Sequence, residues 1–324
     1  MITSRSHSAR LPMACGLLAA AFAIGLQTFP GSTALAQDSR GRTFQTPDDA
    51  ARELIRVVKA GNLEELIALF GRDGQELAAG SDPVTGRKNR EVFTVAAAEG
   101  WRLVDQGSNR KTLMIGNEGW PFPVPIVKDG AAWRFDAAAG KEEVIARRIG
   151  RNELAVIETV RTYVAAQRRY ARQGHDGKPA GLYAKSFRSE PGKENGLYWP
   201  AAHGQKRSPL GDLVAQAAEE GRPLDTNAPP PSTFHGYYFK ILTGQGPAAS
   251  GGARSYVMNG DMSGGFALVA WPAQYDITGV MTFVVNGDGS VYQKDLGLET
   301  ESAAKSVTRY NPDQSWQRVA QQPD

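Results

Sequence analysis

The chain has almost no cysteine: Cys15 is the only one in 324 residues. A disulfide within the chain, a cysteine-rich zinc site and a redox pair are all excluded on that count. Histidine is scarce too. His175, His203 and His235 lie far apart, with no pair at the spacing of two ligands on one metal ion. There is little net charge, 37 basic side chains standing against 34 acidic ones for a total of +3. That total supplies no field for nucleic acid or for an anionic membrane. Beyond residue 36 no apolar run approaches the roughly 20 residues of a spanning helix. What these absences leave is a globular protein held by burial alone, with no metal, cofactor or nucleic-acid partner expected.

The first apolar run is of a different kind. Arg5 and Arg10 precede an uncharged stretch from Leu11 to Leu26, and Ala34-Leu35-Ala36 places small residues where a signal peptidase cuts. This is the order of a cleaved secretory signal peptide over residues 1–36. The apolar stretch is about 16 residues, short for a membrane anchor. Cys15 comes too early to be a lipidated cysteine. Cleavage removes Cys15, Arg5 and Arg10, so the expected mature chain is cysteine-free, near-neutral, without a transmembrane anchor, and periplasmic or secreted. Its length suits two domains.

The mature part opens with helix signals. Thr46 is a candidate cap, Pro47 suits the first turn, and Asp48 and Asp49 favour the positive helix end. Leu54, Ile55 and Val58 give one apolar face, Gly61-Asn62 interrupts, and Leu63, Leu66, Ile67 and Phe70 continue it. A further helix is expected from Glu91 to Trp101, ending near Gly100. Leu113–Ile115, Pro125–Val127 and Trp133–Asp136 then look extended, with a turn at Lys128-Asp129-Gly130. This order, over residues 37–140, resembles the α+β cone of nuclear-transport-factor-2-like proteins.

From Lys141 to Arg172 apolar residues recur at helical spacing, with a possible break at Gly150. Arg168, Arg169 and Arg172 crowd its end as a solvated, dipole-complementing set. A short helix follows, with Ser208 as its cap, Pro209 in its first turn and Gly221 closing it. Ala228-Pro229-Pro230-Pro231 is a stiff connector. Tyr237–Leu242, Ser255–Met258, Phe266–Trp271, Met281–Val285 and Val291–Gln293 are short β-prone runs separated by glycine-rich turns. Together they predict an antiparallel meander with the long helix on one face, over residues 141–298. From Glu299 to residue 324 the polar composition predicts a loose tail. The fold class is α+β.

The helix from Asn152 to Tyr170 and the run Gly264–Tyr275 with Thr278–Asn286 resemble the helix and sheet of soluble pilin-like domains. With His235-Gly236-Tyr237-Tyr238-Phe239 and Gln293-Lys294-Asp295-Leu296-Gly297, these segments are similar to a family of secreted bacterial proteins known as domain of unknown function 2950. The resemblance implies an envelope location and transfers no catalytic or binding residue. The apolar half-helix that polymerises true pilins is missing, which argues against filament assembly.

Tests for catalytic motifs are negative, and no catalytic residue is expected. Ser263 lacks the first glycine of a nucleophile elbow and sits between strands. Ser108–Lys111 and Ser302–Lys305 match Ser-x-x-Lys but lie in a turn and near the tail. Gly244-Gln245-Gly246 lacks the Gly-Lys-Ser/Thr of a phosphate loop. Asn286-Gly287-Asp288-Gly289 is a hairpin turn rather than a calcium loop. Glu142-Glu143 and Glu219-Glu220 are surface acid pairs. The remaining candidates are aromatic: Tyr198, Trp199, Tyr237, Trp271 and Tyr275, with His235 beside them, form a possible rim for glycan or protein. The leading expectation is a non-enzymatic interaction or structural module of the envelope, with an envelope protein or glycan as its partner. The alternatives are a glycan-directed hydrolase or transferase, and a small-ligand binder whose cavity is lined by Trp101, Trp120 and Trp133.

Overall fold

The structure, a computed structural model, describes residues 41–79, 83–201, 207–219 and 233–320. The expected signal peptide, His203, Gly221 and the Ala228–Pro231 connector lie outside the described residues. After strand β1 (Thr43–Phe44) comes α1 (Pro47–Ala60). Thr46 caps it, its side chain accepting from the Asp49 amide, and Gly61 closes it at φ +69°. Asn62 at once caps α2 (Leu63–Phe70) by accepting from the Glu65 amide. The two helices are joined by capping residues with no loop between them. Short α3 (Gly74–Ala79) and α4 (Pro83–Glu99) follow. The latter starts well before the expected Glu91. It ends at Glu99, next to the expected Gly100, and Trp101 opens β2 (Trp101–Asp105).

Strand β3 (Arg110–Ile115), β4 (Trp120–Pro121), β5 (Ile126–Asp129) and β6 (Ala132–Phe135) complete a six-stranded antiparallel sheet in the order β1-β6-β5-β3-β2, with β4 on β3. Helix α1 lies on this sheet. Leu54, Val57, Leu113, Ile115, Ile126 and Phe135 are fully buried between the layers. Phe135 sits at the centre, with edge-on contacts to Phe44, Phe70 and Phe122. Each such side chain contributes about 1.5–3 kcal/mol by burial.

Helix α5 (Ala137–Ala171) runs unbroken through Gly150. Nothing within 4 Å of that glycine would meet a side chain there, so packing does not require a break. Ala137 belongs to the first core, whereas Val156, Val160, Tyr163 and Val164 belong to a second. One helix thus serves both cores, and the described residues form a single compact unit. Helix α6 (Gly211–Glu219) begins with the Gly211 amide on the Ser208 carbonyl. The Ser208 hydroxyl, expected as a cap, is buried without a partner among the described residues.

The second core is built on β7 (Tyr237–Leu242), β12 (Ala267–Pro272), β13 (Met281–Asn286), β14 (Val291–Asp295) and β15 (Gln317–Arg318). They pair antiparallel in the order β15-β14-β13-β12-β7. Between β7 and β12 lie two small pairs, β8 (Gly244–Gln245) with β9 (Arg254–Ser255), and β10 (Val257–Met258) with β11 (Asp261–Met262). Every residue of β12 is buried, so both sheet faces are covered. Helix α5 covers the face of Tyr237 and Phe283. The other face is covered by the segment expected to be a loose tail. There α7 (Thr300–Ser306) packs on β12, and Ala304 and Tyr310 are buried. Lys240 reaches across to donate to the Lys305 carbonyl at 2.6 Å, a cation at a helix C-terminus.

Candidate functional site

Where α5 ends, the chain turns back as an irregular strap over residues 172–199. Its anchor is Gln167, which is fully buried on α5. Its side-chain amide donates to the Ala184 carbonyl at 2.8 Å and to the Tyr163 hydroxyl at 3.1 Å, and its oxygen accepts from the Ala184 amide at 2.9 Å. A glutamine here does what a neighbouring strand would do for Ala184. The strap also meets the β10–β11 hairpin: the Tyr183 amide donates to the Met262 carbonyl at 2.8 Å, and Lys185 Nζ donates to the Gly260 carbonyl at 2.8 Å. Between strap and hairpin opens a cavity of about 480 Å³, lined among others by Tyr170, Asp176, Tyr183, Lys185, Asn195 and Asp261.

One wall is fixed by a knot around Glu194. The His175 ring stacks on Tyr170, 4.0 Å between centroids and 13° from parallel. Its Nδ1 lies 3.1 Å from the Glu194 carboxylate and its Nε2 lies 3.0 Å from the Tyr170 carbonyl. The Tyr170 hydroxyl donates to the Glu194 carbonyl at 3.0 Å, and the Asp176 carboxylate accepts from the Glu194 amide at 3.0 Å. Asp176 holds a left-handed conformation, φ +50°, to make this turn. Burial, with the negative charges of Asp176 and Glu194 beside it, pushes the Tyr170 phenol up to about 12.

Charge in the cleft is partly cancelled and partly not. Lys178 pairs with Asp261. Lys193 pairs with Glu190 at 2.5 Å, which lowers the Glu190 carboxyl and raises the Lys193 ammonium. Both pairs face solvent, which screens them. Lys185 meets no carboxylate among the described residues, and its only hydrogen bond is to the Gly260 carbonyl. The surrounding sequence is strongly basic. From Arg168 to Arg207 there are nine lysines and arginines and three carboxylates, in a chain whose total is +3. The rest of the chain is therefore net acidic.

The aromatic rim expected from the sequence does not assemble. Trp199, Tyr237 and Trp271 are buried in the second core. Tyr198 is half-buried against the same core. His235 is half-buried at φ +50° against Phe234. Tyr275 is half-buried, its hydroxyl on Asp295 at 3.3 Å. Strand pairing holds two of these inside: Trp271 lies opposite Tyr238 in β7, and the Tyr237 hydroxyl donates to the Met281 carbonyl, whereas Trp199 packs beside the His175 ring. His175 closes a turn, its amide and carbonyl pairing with Lys178, and its ring is buried. Trp101 and Trp133 pack on the first core and Trp120 is exposed. A small cavity of about 50 Å³ in that half is lined by Val57, Leu63 and Leu66 and by none of these tryptophans.

The cleft residues Asp176, Lys178, Tyr183, Lys185, Lys193 and Asp261 escaped the sequence reading. The charge density from Arg168 to Arg207 was the available signal, and the near-neutral total hid it.

Comparison with known proteins adds a family. A family model described as protein of unknown function (DUF2950) matches residues 41–319, and the chain belongs to that family. No curated protein and no solved structure matches it, so neither the nuclear-transport-factor-2-like nor the pilin-like likeness gains support there.

Proposed function

We propose that this member of the family is an exported, non-catalytic binding module of the bacterial envelope, and that the cleft between strap and hairpin is its binding site. The observation that carries the binding reading is the state of His175. Both of its ring nitrogens are engaged inside the knot, so it is in no position to shuttle a proton to a ligand. The other carboxylates of the cleft are similarly engaged: Asp261 and Glu190 hold lysines, and Asp176 holds the Glu194 amide. A glycan-directed hydrolase needs an acid and a base aimed across the scissile bond, which favours binding over turnover. The cavity volume falls within the roughly 300–1,000 Å³ of ligand sites. Export rests on the signal pattern of residues 1–36.

The test is expression of the tagged full chain in an envelope-bearing bacterium, followed by fractionation and mass analysis. The expected product starts at Gln37 in the periplasmic or secreted fraction and is retained by envelope baits, sacculi or a protein, without turning over glycan. Retention of residues 1–36 in the cytoplasm would overturn export. Glycan turnover abolished by one point substitution would overturn the non-catalytic reading.

A further inference from the structure

Resting on the binding reading above, we infer that the cleft takes a saccharide bearing a single acid group, with that carboxylate on Lys185. Three properties of the lining select this class. First, the Lys185 ammonium carries the charge that no carboxylate of the cleft answers: the other two lysines of the lining are paired, and this one rests on a backbone carbonyl. A ligand acid there gains a charge-assisted bond that a neutral sugar does not offer. Second, Asp176, Glu190 and Asp261 stand in the same walls. They repel a phosphate or a polyanion that would run the length of the cleft, so the ligand brings one negative charge and not several. Third, these carboxylates retain acceptor capacity, and Gln173, Ser186 and Asn195 add amides and a hydroxyl to the lining. Such a mixture of donors and acceptors matches the hydroxyls of a sugar. Tyr183 is half-buried, its ring 4.7 Å from Phe266 on the core side. It belongs to the lining as well and supplies an apolar surface for a sugar ring.

The walls are already set for this. The Glu194 knot, the Gln167–Ala184 pairing and the Tyr183–Met262 bond fix the strap before a ligand arrives, so little ordering is left to oppose binding. The basic stretch from Arg168 to Arg207 adds a field that draws an acidic ligand to this end of α5.

The experiment is ligand-observed and protein-observed NMR titration of the purified protein with N-acetylmuramic acid and glucuronic acid, with N-acetylglucosamine and inorganic phosphate as comparison probes. The acidic sugars are expected to bind at least tenfold more tightly than N-acetylglucosamine, and phosphate is expected not to displace them. Lys185→Met should weaken the acidic sugars at least tenfold while leaving Tm unchanged, because Lys185 is exposed. Lys185→Arg should restore most of the affinity. Equal binding of neutral and acidic sugars, displacement by phosphate, or wild-type affinity in Lys185→Met would overturn the inference. Retention on envelope baits separates the two claims. If acidic sugars fail while sacculi or a protein partner still hold the chain, the saccharide assignment falls and the binding module stands. If nothing holds it, both fall.

Discussion

The two cores are assembled by different chemistry. The first is hydrocarbon: Phe44, Phe70, Phe122 and Phe135 meet edge to face, and its charged pairs, such as Arg42–Glu53 and Arg56–Glu65, are solvent-exposed. All ten tyrosines of the chain lie from Tyr163 onward, so the second core has the hydroxyls. There the polar bonds cross long stretches of sequence. Tyr163 donates to the Ala267 carbonyl, Asn152 to the Thr278 carbonyl, and the Glu153 carboxylate accepts from the Val280 and Met281 amides, both at 2.9 Å. Gln245, fully buried, donates to the Ser250 and Gly252 carbonyls and organises a glycine-rich loop. A core held by shape tolerates changes that keep volume. A core held by directed bonds does not, since a missing partner leaves a buried polar group unsatisfied. The same difference explains why the polar cleft belongs to the second half.

The largest effect that would break this comparison is truncation after Glu299. It uncovers the Val269 face of the sheet and removes Ala304 and Tyr310. We expect insoluble or unfolded protein by far-UV circular dichroism; a cooperatively folded truncation product would show that the C-terminal segment is dispensable. Next come two point substitutions of similar cost. Phe135→Ala should lose about 3–5 kcal/mol by denaturant unfolding, from a ring at the centre of its core. Gln167→Leu, similar in size, should lose roughly 2–5 kcal/mol, because the Ala184 amide and carbonyl are left buried and unpaired. By contrast Leu113→Met should cost less than about 1.5 kcal/mol. If Gln167→Leu were as mild as Leu113→Met, the distinction between the cores would be lost.

A pH scan sharpens the comparison further. Burial holds the phenols of Tyr163, Tyr170, Tyr237 and Tyr310 above their ordinary value, Tyr170 up to about 12. The unfolded chain ionises near pH 10, so it releases these protons before the folded chain does. Stability contributed by the neutral phenols is present below about pH 10 and is lost as pH rises towards about 12. Tyrosine absorbance should therefore step together with loss of circular dichroism, and gradual ionisation of a folded protein would contradict it. The smallest effect is that of Lys240→Met, which removes the cation from the C-terminus of α7 and should cost about 1 kcal/mol; Tm measurement resolves it.

Local signals in the sequence were a good guide where structure is local. Thr46-Pro47 and Gly61-Asn62 mark the bounds of α1 and α2, and the turn Asn286-Gly287-Asp288-Gly289 separates β13 from β14 as expected. The start of α4 is less legible, because Gly86-Arg87-Lys88-Asn89-Arg90 carries no apolar period, whereas Gly100, at φ +155°, marks the step from α4 to β2. The C-terminal segment was illegible for another reason. Val307, Tyr310, Trp316 and Val319 pack on the second core, but as mostly irregular chain laid across a sheet they follow neither a helical nor a strand period. The cleft depends on bonds between residues far apart in sequence, such as Lys178 with Asp261, and no spacing rule reports those. The aromatic candidates pointed elsewhere because tyrosine and tryptophan at a strand end look the same in sequence whether they face solvent or a second layer.

The central claim is that recognition belongs to the polar cleft of the second half. Hydrogen exchange of the intact protein with and without soluble fragments of digested sacculi tests it most directly. Added protection concentrated in residues 174–195 and in the hairpin Val257–Met262 is the predicted result. Protection centred on Trp101, Trp120 and Trp133, or none at saturating fragment, would contradict it.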